Sequence, residues 1–72
     1  MAKRKISYNK LWKLLIDRRM SKADLRKAIE MSPNTMTKMT RDEEVSMSII
    51  LKIANHLDCD ISDMMEFVKK ES

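Results

Sequence analysis

Few side chains in this sequence are placed to make or break covalent bonds. His56 and Cys59, with Asp58 and Asp60 around them, form one local group of nitrogen, sulfur and oxygen donors, but no second pair completes a tetrahedral metal site. No nucleophile is spaced to meet a base. Neither an enzyme nor a metal- or cofactor-dependent protein is therefore expected. Hydrogen-bonding chemistry is better represented. Between residues 32 and 41 stand Ser32, Pro33, Asn34, Thr35, Thr37, Lys38 and Arg41, a run of polar and basic side chains broken by Met36 and Met39. An asparagine amide can bond bidentately to adenine, a lysine ammonium can donate to guanine O6 and N7, and threonine methyls can touch thymine. Asn34 and Lys38 are the strongest candidates for such reading. The same residues equally suit an ordinary solvent-exposed helix face, so their surroundings must decide.

The surroundings are basic. Residues 1–41 hold twelve of the fifteen Lys and Arg against three acids (Asp17, Asp24, Glu30), a charge of +9, while the remainder carries −5. An uneven solvated surface would account for this as well, but the basic part coincides with the polar run, which favours a polyanionic partner. Seventy-two residues without a glycine, with one proline and three aromatics, leave room for one domain with one modest core, built from helices. The single cysteine, Cys59, cannot form an internal disulfide and reads as a small core residue rather than a redox sensor. No apolar run has the length of a signal-peptide core or a membrane span, so a cytoplasmic protein with no membrane association is expected.

Five short helices are predicted to position the polar run. A basic arm over residues 1–6 is expected to fray, and Ser7 is placed to cap a first helix whose apolar residues Tyr8, Leu11, Trp12, Leu14, Leu15 and Ile16 recur at helical spacing. Ser21 caps a second helix around Leu25 and Ile29; Ser32, followed by Pro33 at the first helical position, starts a third. Ser46 opens a fourth, with Met47, Ile50, Leu51, Ile53, Ala54 and Leu57 as an apolar stripe. Ile61, Met64, Met65, Phe67 and Val68 suggest a fifth, with Phe67 packing against Trp12, before a tail over residues 69–72. Most of the eight methionines fall at core spacing.

Two short helices joined by a tight turn within residues 21–41 follow the helix-turn-helix plan, whose second helix enters the major groove. The stretches SKADLRKAIEMSPNTMTKM and SMSIILKIANHLDCDISDMM resemble the lambda-repressor-like (Cro/CI, or XRE) family over residues 7–68. The second reads like that family's S-L-x-x-L-L-K-I-A-x-x-L-x-x-x-L-x-x-L ending. The resemblance implies an all-α, lambda-repressor-like DNA-binding domain with base-edge contacts from Ser32, Pro33, Asn34 and Lys38. It also implies a DNA-backbone contact from Lys22, which stands where the family usually has glutamine. Glu30 occupies a turn position where glycine is usual because the backbone tends toward positive φ, and strain is expected there. Leu15 and Thr40 replace the family's buried Arg and Glu pair, and Asp42, Glu43 and Glu44 stand where many relatives place glycine and basic residues near phosphate.

The expectation is a transcriptional regulator that binds double-stranded DNA as a homodimer, using Lys22, Ser32, Pro33, Asn34, Thr35, Thr37, Lys38 and Arg41, with no evident small-molecule ligand. The acidic, apolar carboxyl-terminal part, near His56, Ile61, Met65 and Val68, is the expected dimer interface. The alternative is a protein interaction module of the same fold, antitoxin-like or an adaptor, without autonomous DNA binding. Apolar residues on the outward face of the third helix would favour it.

Overall fold

In the computed structural model, which describes residues 3–69, four α-helices are followed by a 3₁₀ turn and bracketed by two short strands. The order is β1 (Arg4–Ser7), α1 (Asn9–Asp17), α2 (Lys22–Ala28), α3 (Pro33–Thr40), α4 (Met47–Leu57), the 3₁₀ turn (Ile61–Asp63) and β2 (Glu66–Lys69). The core is one cluster centred on Leu11, Leu25, Met39, Ile53 and Met64, all fully buried, with Tyr8, Leu15, Met31, Ile50 and Leu57 around them.

The serine caps lie where the sequence puts them, because each hydroxyl satisfies an orphan amide of its helix. Ser21 accepts from the Asp24 amide while the Asp24 carboxylate accepts from the Ser21 amide at 2.9 Å, a reciprocal capping box. Hydrogen bonding to the carboxylate from the Ser21 backbone amide, and then from the Ser21 side chain, holds the Asp24 carboxyl below the usual range. Ser32 and Ser46 accept from the Thr35 and Ile49 amides. The first helix departs from expectation: its N-cap is Tyr8, with no side-chain cap, and Ser7 is buried at the end of β1 with only a 3.4 Å contact from the Asn9 amide.

All four α-helices end on a left-handed residue, and in a chain without glycine these are Arg19, Glu30, Asp42 and Asp58, with φ between 52° and 58°. The bonding around them is of one kind. The Met20, Met31, Glu43 and Cys59 amides reach back to the Leu15, Arg26, Lys38 and Ala54 carbonyls at 2.8–3.0 Å. This is the closing bond of the Schellman motif, which satisfies carbonyls that a helix end leaves open. The positive φ expected at Glu30 is present.

Two expectations are corrected at the chain ends. Residues 61–68 do not form a fifth helix, and Arg4 and Lys5 do not belong to a frayed arm. Instead β1 and β2 pair antiparallel, with Arg4 opposite Lys69, Lys5 opposite Val68, Ile6 opposite Phe67 and Ser7 opposite Glu66. The apolar spacing after residue 60 fits a helix, but Phe67 and Val68 favour a strand once a partner strand is available. That partner lies at the other end of the sequence. Asp60 caps the 3₁₀ turn with Asp63, and the chain leaves it extended after the buried Met64. Phe67 is 64 % exposed and does not cover Trp12, which is half-buried beside Tyr8 with ring centroids 6.4 Å apart. Met1 and Ala2 of the expected arm and residues 70–72 of the expected tail lie outside the described residues.

Candidate nucleic-acid interface

Helix α3 buries Met36 and Met39 and leaves Ser32, Pro33, Asn34, Thr37, Lys38 and Arg41 exposed. Thr37 and Lys38 stand three and four residues after Asn34 and four and three before Arg41, so the four form one stripe along the outer side of the helix. Thr35 is half-buried, and its hydroxyl lies 2.9 Å from that of Ser32 at the amino end of the helix. Among the described residues, the Asn34 amide and the Lys38 ammonium take part in no side-chain hydrogen bond or ion pair, so both are free to meet a ligand. Arg41, the C-cap, lies 4.0 Å from Glu43, an exposed pair that solvent screens to little net worth.

Lys22 opens α2, as the resemblance implies, but its stem folds back over the protein. Its ammonium sits 4.2 Å from the centroid of the Trp12 ring and 3.4 Å from the Thr40 hydroxyl, tying α1, α2 and α3 together at one point. A cation over an indole face gains about 0.5–1 kcal/mol at a partly solvated site. Leu15 is buried where the family has a charge, whereas Thr40 is exposed and donates to the Met36 carbonyl at 3.0 Å. Neither leaves a buried charge without a partner, and no buried side-chain polar atom among the described residues lacks one.

The loop after α3 is held from below by Tyr8. Its backbone amide donates to the Asp42 carboxylate at 3.2 Å, and its hydroxyl donates to the Glu43 carbonyl at 2.8 Å. Burial of the ring, followed by the nearby Asp42 and Glu44 charges, pushes the phenol pKa above its ordinary value. These bonds fix the carboxyl end of α3 against the amino end of α1. Beside them an open groove brings Lys5 of β1 to the same surface as Lys38, with Asp42, Glu43 and Glu44 on its rim. The acidic loop thus faces the basic residues it follows in sequence.

Sequence reasoning did not find Tyr8 or Trp12 as supports of this surface, because both look like ordinary apolar members of α1. Cys59 is half-buried where α4 closes, and burial raises its thiol pKa. Among the described residues, no three His, Cys, Asp or Glu side chains gather as metal ligands. No helix there is long and apolar enough to cross a membrane.

A family model of the Cro/C1-type HTH DNA-binding domain matches residues 10–70. Among solved structures, the crystal structure of the transcriptional regulator VanUg, Form II, matches with a TM-score of 0.91 and 45 % sequence identity, over 93 % of this chain and 89 % of that one. No curated protein matches.

Proposed function

The chain belongs to the Cro/C1-type helix-turn-helix DNA-binding family, which is not an enzyme family, and from that premise we propose a sequence-specific transcriptional regulator acting in the cytoplasm, with α3 in the major groove of a duplex operator. The observation that carries this reading is the outer stripe of α3: Asn34, Thr37, Lys38 and Arg41 are exposed while both methionines are turned inward. The exposed large apolar residues Ile16, Met47, Leu51, Ile61 and Phe67 all lie on other elements. An interaction module using α3 would need some of them there.

In this reading Asn34 and Lys38 meet base edges, Ser32, Pro33, Thr35 and Thr37 lie against the same groove, and Lys22, Arg41 and Lys5 lie toward phosphate. Counting the exposed Lys3 and Arg4 beside them gives about five phosphate contacts per protomer, and a slope of log affinity against log salt of about −4 to −5. Gel shifts on random and enriched duplexes across a salt series test this. No binding to any duplex at low salt, or binding without salt dependence, refutes it.

The regulator acts as a homodimer. One domain of this size covers too little DNA for strong discrimination, and two-fold symmetry sets recognition helices about 34 Å apart on successive turns. Support for the interface comes from the end remote in charge from α3, where Ile61, Met65 and Phe67 line an apolar groove beside Ser62 and Glu66. The strand edge of β2 adds self-complementarity: antiparallel pairing with a second copy about the Phe67–Val68 bond would set Glu66 against the other Lys69. His56 and Val68 remain in the proposed interface, and exposed Phe67 joins them.

A further inference from the structure

We propose that Thr37 is a specificity-determining residue that reads a thymine through its methyl group. The inference rests on the operator-binding reading above and settles which base α3 selects at its middle and by which atom.

Three threonines lie on α3, and their hydroxyls are all engaged within the protein. That of Thr40 donates to the Met36 carbonyl and takes the Lys22 ammonium. That of Thr35 is paired with the Ser32 hydroxyl beneath a half-buried side chain. The Thr37 hydroxyl donates to the Pro33 carbonyl at 3.0 Å, one turn back. This bond matters most at Thr37, because it alone of the three lies in the exposed stripe, between Asn34 and Lys38. The Pro33 carbonyl keeps a lone pair beyond the one its helix ladder uses, and the Thr37 hydroxyl takes it, the back-bond that a threonine makes within a helix. With the oxygen drawn toward the preceding turn, the methyl is the heavy atom left on the outer side.

A methyl at the centre of the stripe has one complement in the major groove. Thymine alone among the four bases carries a methyl at C5, whereas a free hydroxyl would be served by several base edges. Asn34 and Lys38 keep their polar groups free on either side, so the stripe presents amide, methyl and ammonium in succession. Removing one buried methyl from the contact should weaken binding about four-fold, which corresponds to about 0.8 kcal/mol.

The full chain is used to enrich a binding site from a pool of random duplexes, and each thymine of that site is replaced singly by deoxyuridine, which lacks only the methyl. Affinities are compared at fixed salt for the wild type, Thr37→Val and Thr37→Ser, each first shown by circular dichroism to be folded. The expected result is one thymine per half-site whose replacement costs about four-fold with the wild type and with Thr37→Val, and nothing with Thr37→Ser. An enriched site insensitive to every replacement overturns the proposal, as does sensitivity that survives in Thr37→Ser and is lost in Thr37→Val. A pool that yields no enriched duplex overturns the operator reading and this inference with it.

Discussion

Replacing Glu30 with glycine should make the protein more stable, although it removes a side chain and adds backbone freedom to the unfolded chain. Glu30 holds φ 56° in the turn between α2 and α3, where a side chain beyond Cα costs about 1–2 kcal/mol. Glycine adopts this conformation freely but raises the unfolded entropy by about 0.5–1 kcal/mol. The backbone bonds that close the turn, Met31 to Arg26 at 2.8 Å and Glu30 to Lys27 at 3.3 Å, do not involve the side chain. The Glu30 side chain is exposed and unbonded among the described residues, so nothing offsets its removal. The net gain should be about 0.5–1 kcal/mol, or about 3–6 °C in melting temperature for a domain of this size. Glu30→Ala is the control, because it removes the carboxylate from the end of α2 but keeps the Cβ. Thermal melts and urea titrations with unchanged m-value should place Glu30→Gly above both Glu30→Ala and the wild type. If Glu30→Gly melts at or below Glu30→Ala, the left-handed strain does not exist at the stated size. Asp42→Gly should go the other way, because it also loses the carboxylate that accepts the Tyr8 amide.

On an enriched site, Asn34→Ala and Lys38→Ala should each cost about 1–3 kcal/mol and leave random-duplex affinity nearly unchanged. Lys22→Ala should weaken both and lower the salt slope by about 1; equal losses for all three would mean the reading face is misplaced. Because the folded state raises the Tyr8 pKa, the protonated phenol favours folding. Stability should therefore be full below pH 10 and fall as pH rises through the elevated value. Tyr8→Phe should lose about 1 kcal/mol at neutral pH with the Glu43 bond and show a flatter alkaline limb; an unchanged limb would assign it to other groups. Phe67→Asp should shift sedimentation from dimer to monomer, or abolish cooperative occupancy of paired half-sites, with a near-native melt. Unchanged assembly would place the interface elsewhere.

Three of the four helix starts were legible because Ser21, Ser32 and Ser46 satisfy amides within three residues of themselves, so the relevant partners are local in sequence; the first, expected at Ser7, was not. The helix ends were less so. Glycine is the usual mark of a left-handed terminus, and here its place is taken by Arg19, Glu30, Asp42 and Asp58, of which only Glu30 was anticipated, through the family's turn. The carboxyl-terminal segment was misread because its apolar spacing suits either a helix or a strand, and the pairing with β1 that decides between them is a long-range contact. The polar run of α3 was visible as a pattern. Its supports were not: that Tyr8 would anchor the following loop, or that Lys22 would lie over Trp12, depends on elements meeting in space.

The pairing of β1 with β2 also bears on the order in which the molecule assembles. Helices α1 to α4 are built from local bonds and short connections, the contacts that form fastest. The ribbon joins residues near opposite ends of the chain, and Lys10 adds a tie to the Glu66 carboxylate and the Ser62 carbonyl. Closing so long a loop costs less entropy once the helices have brought its ends together, which places the ribbon in the late part of folding. Substitutions in Ile6 should then speed unfolding and leave the folding rate almost unchanged, whereas those in Leu25 or Ile53 should slow folding. The last-formed element is also the one carrying the exposed Phe67, which would make the proposed dimer surface a product of the final step of folding.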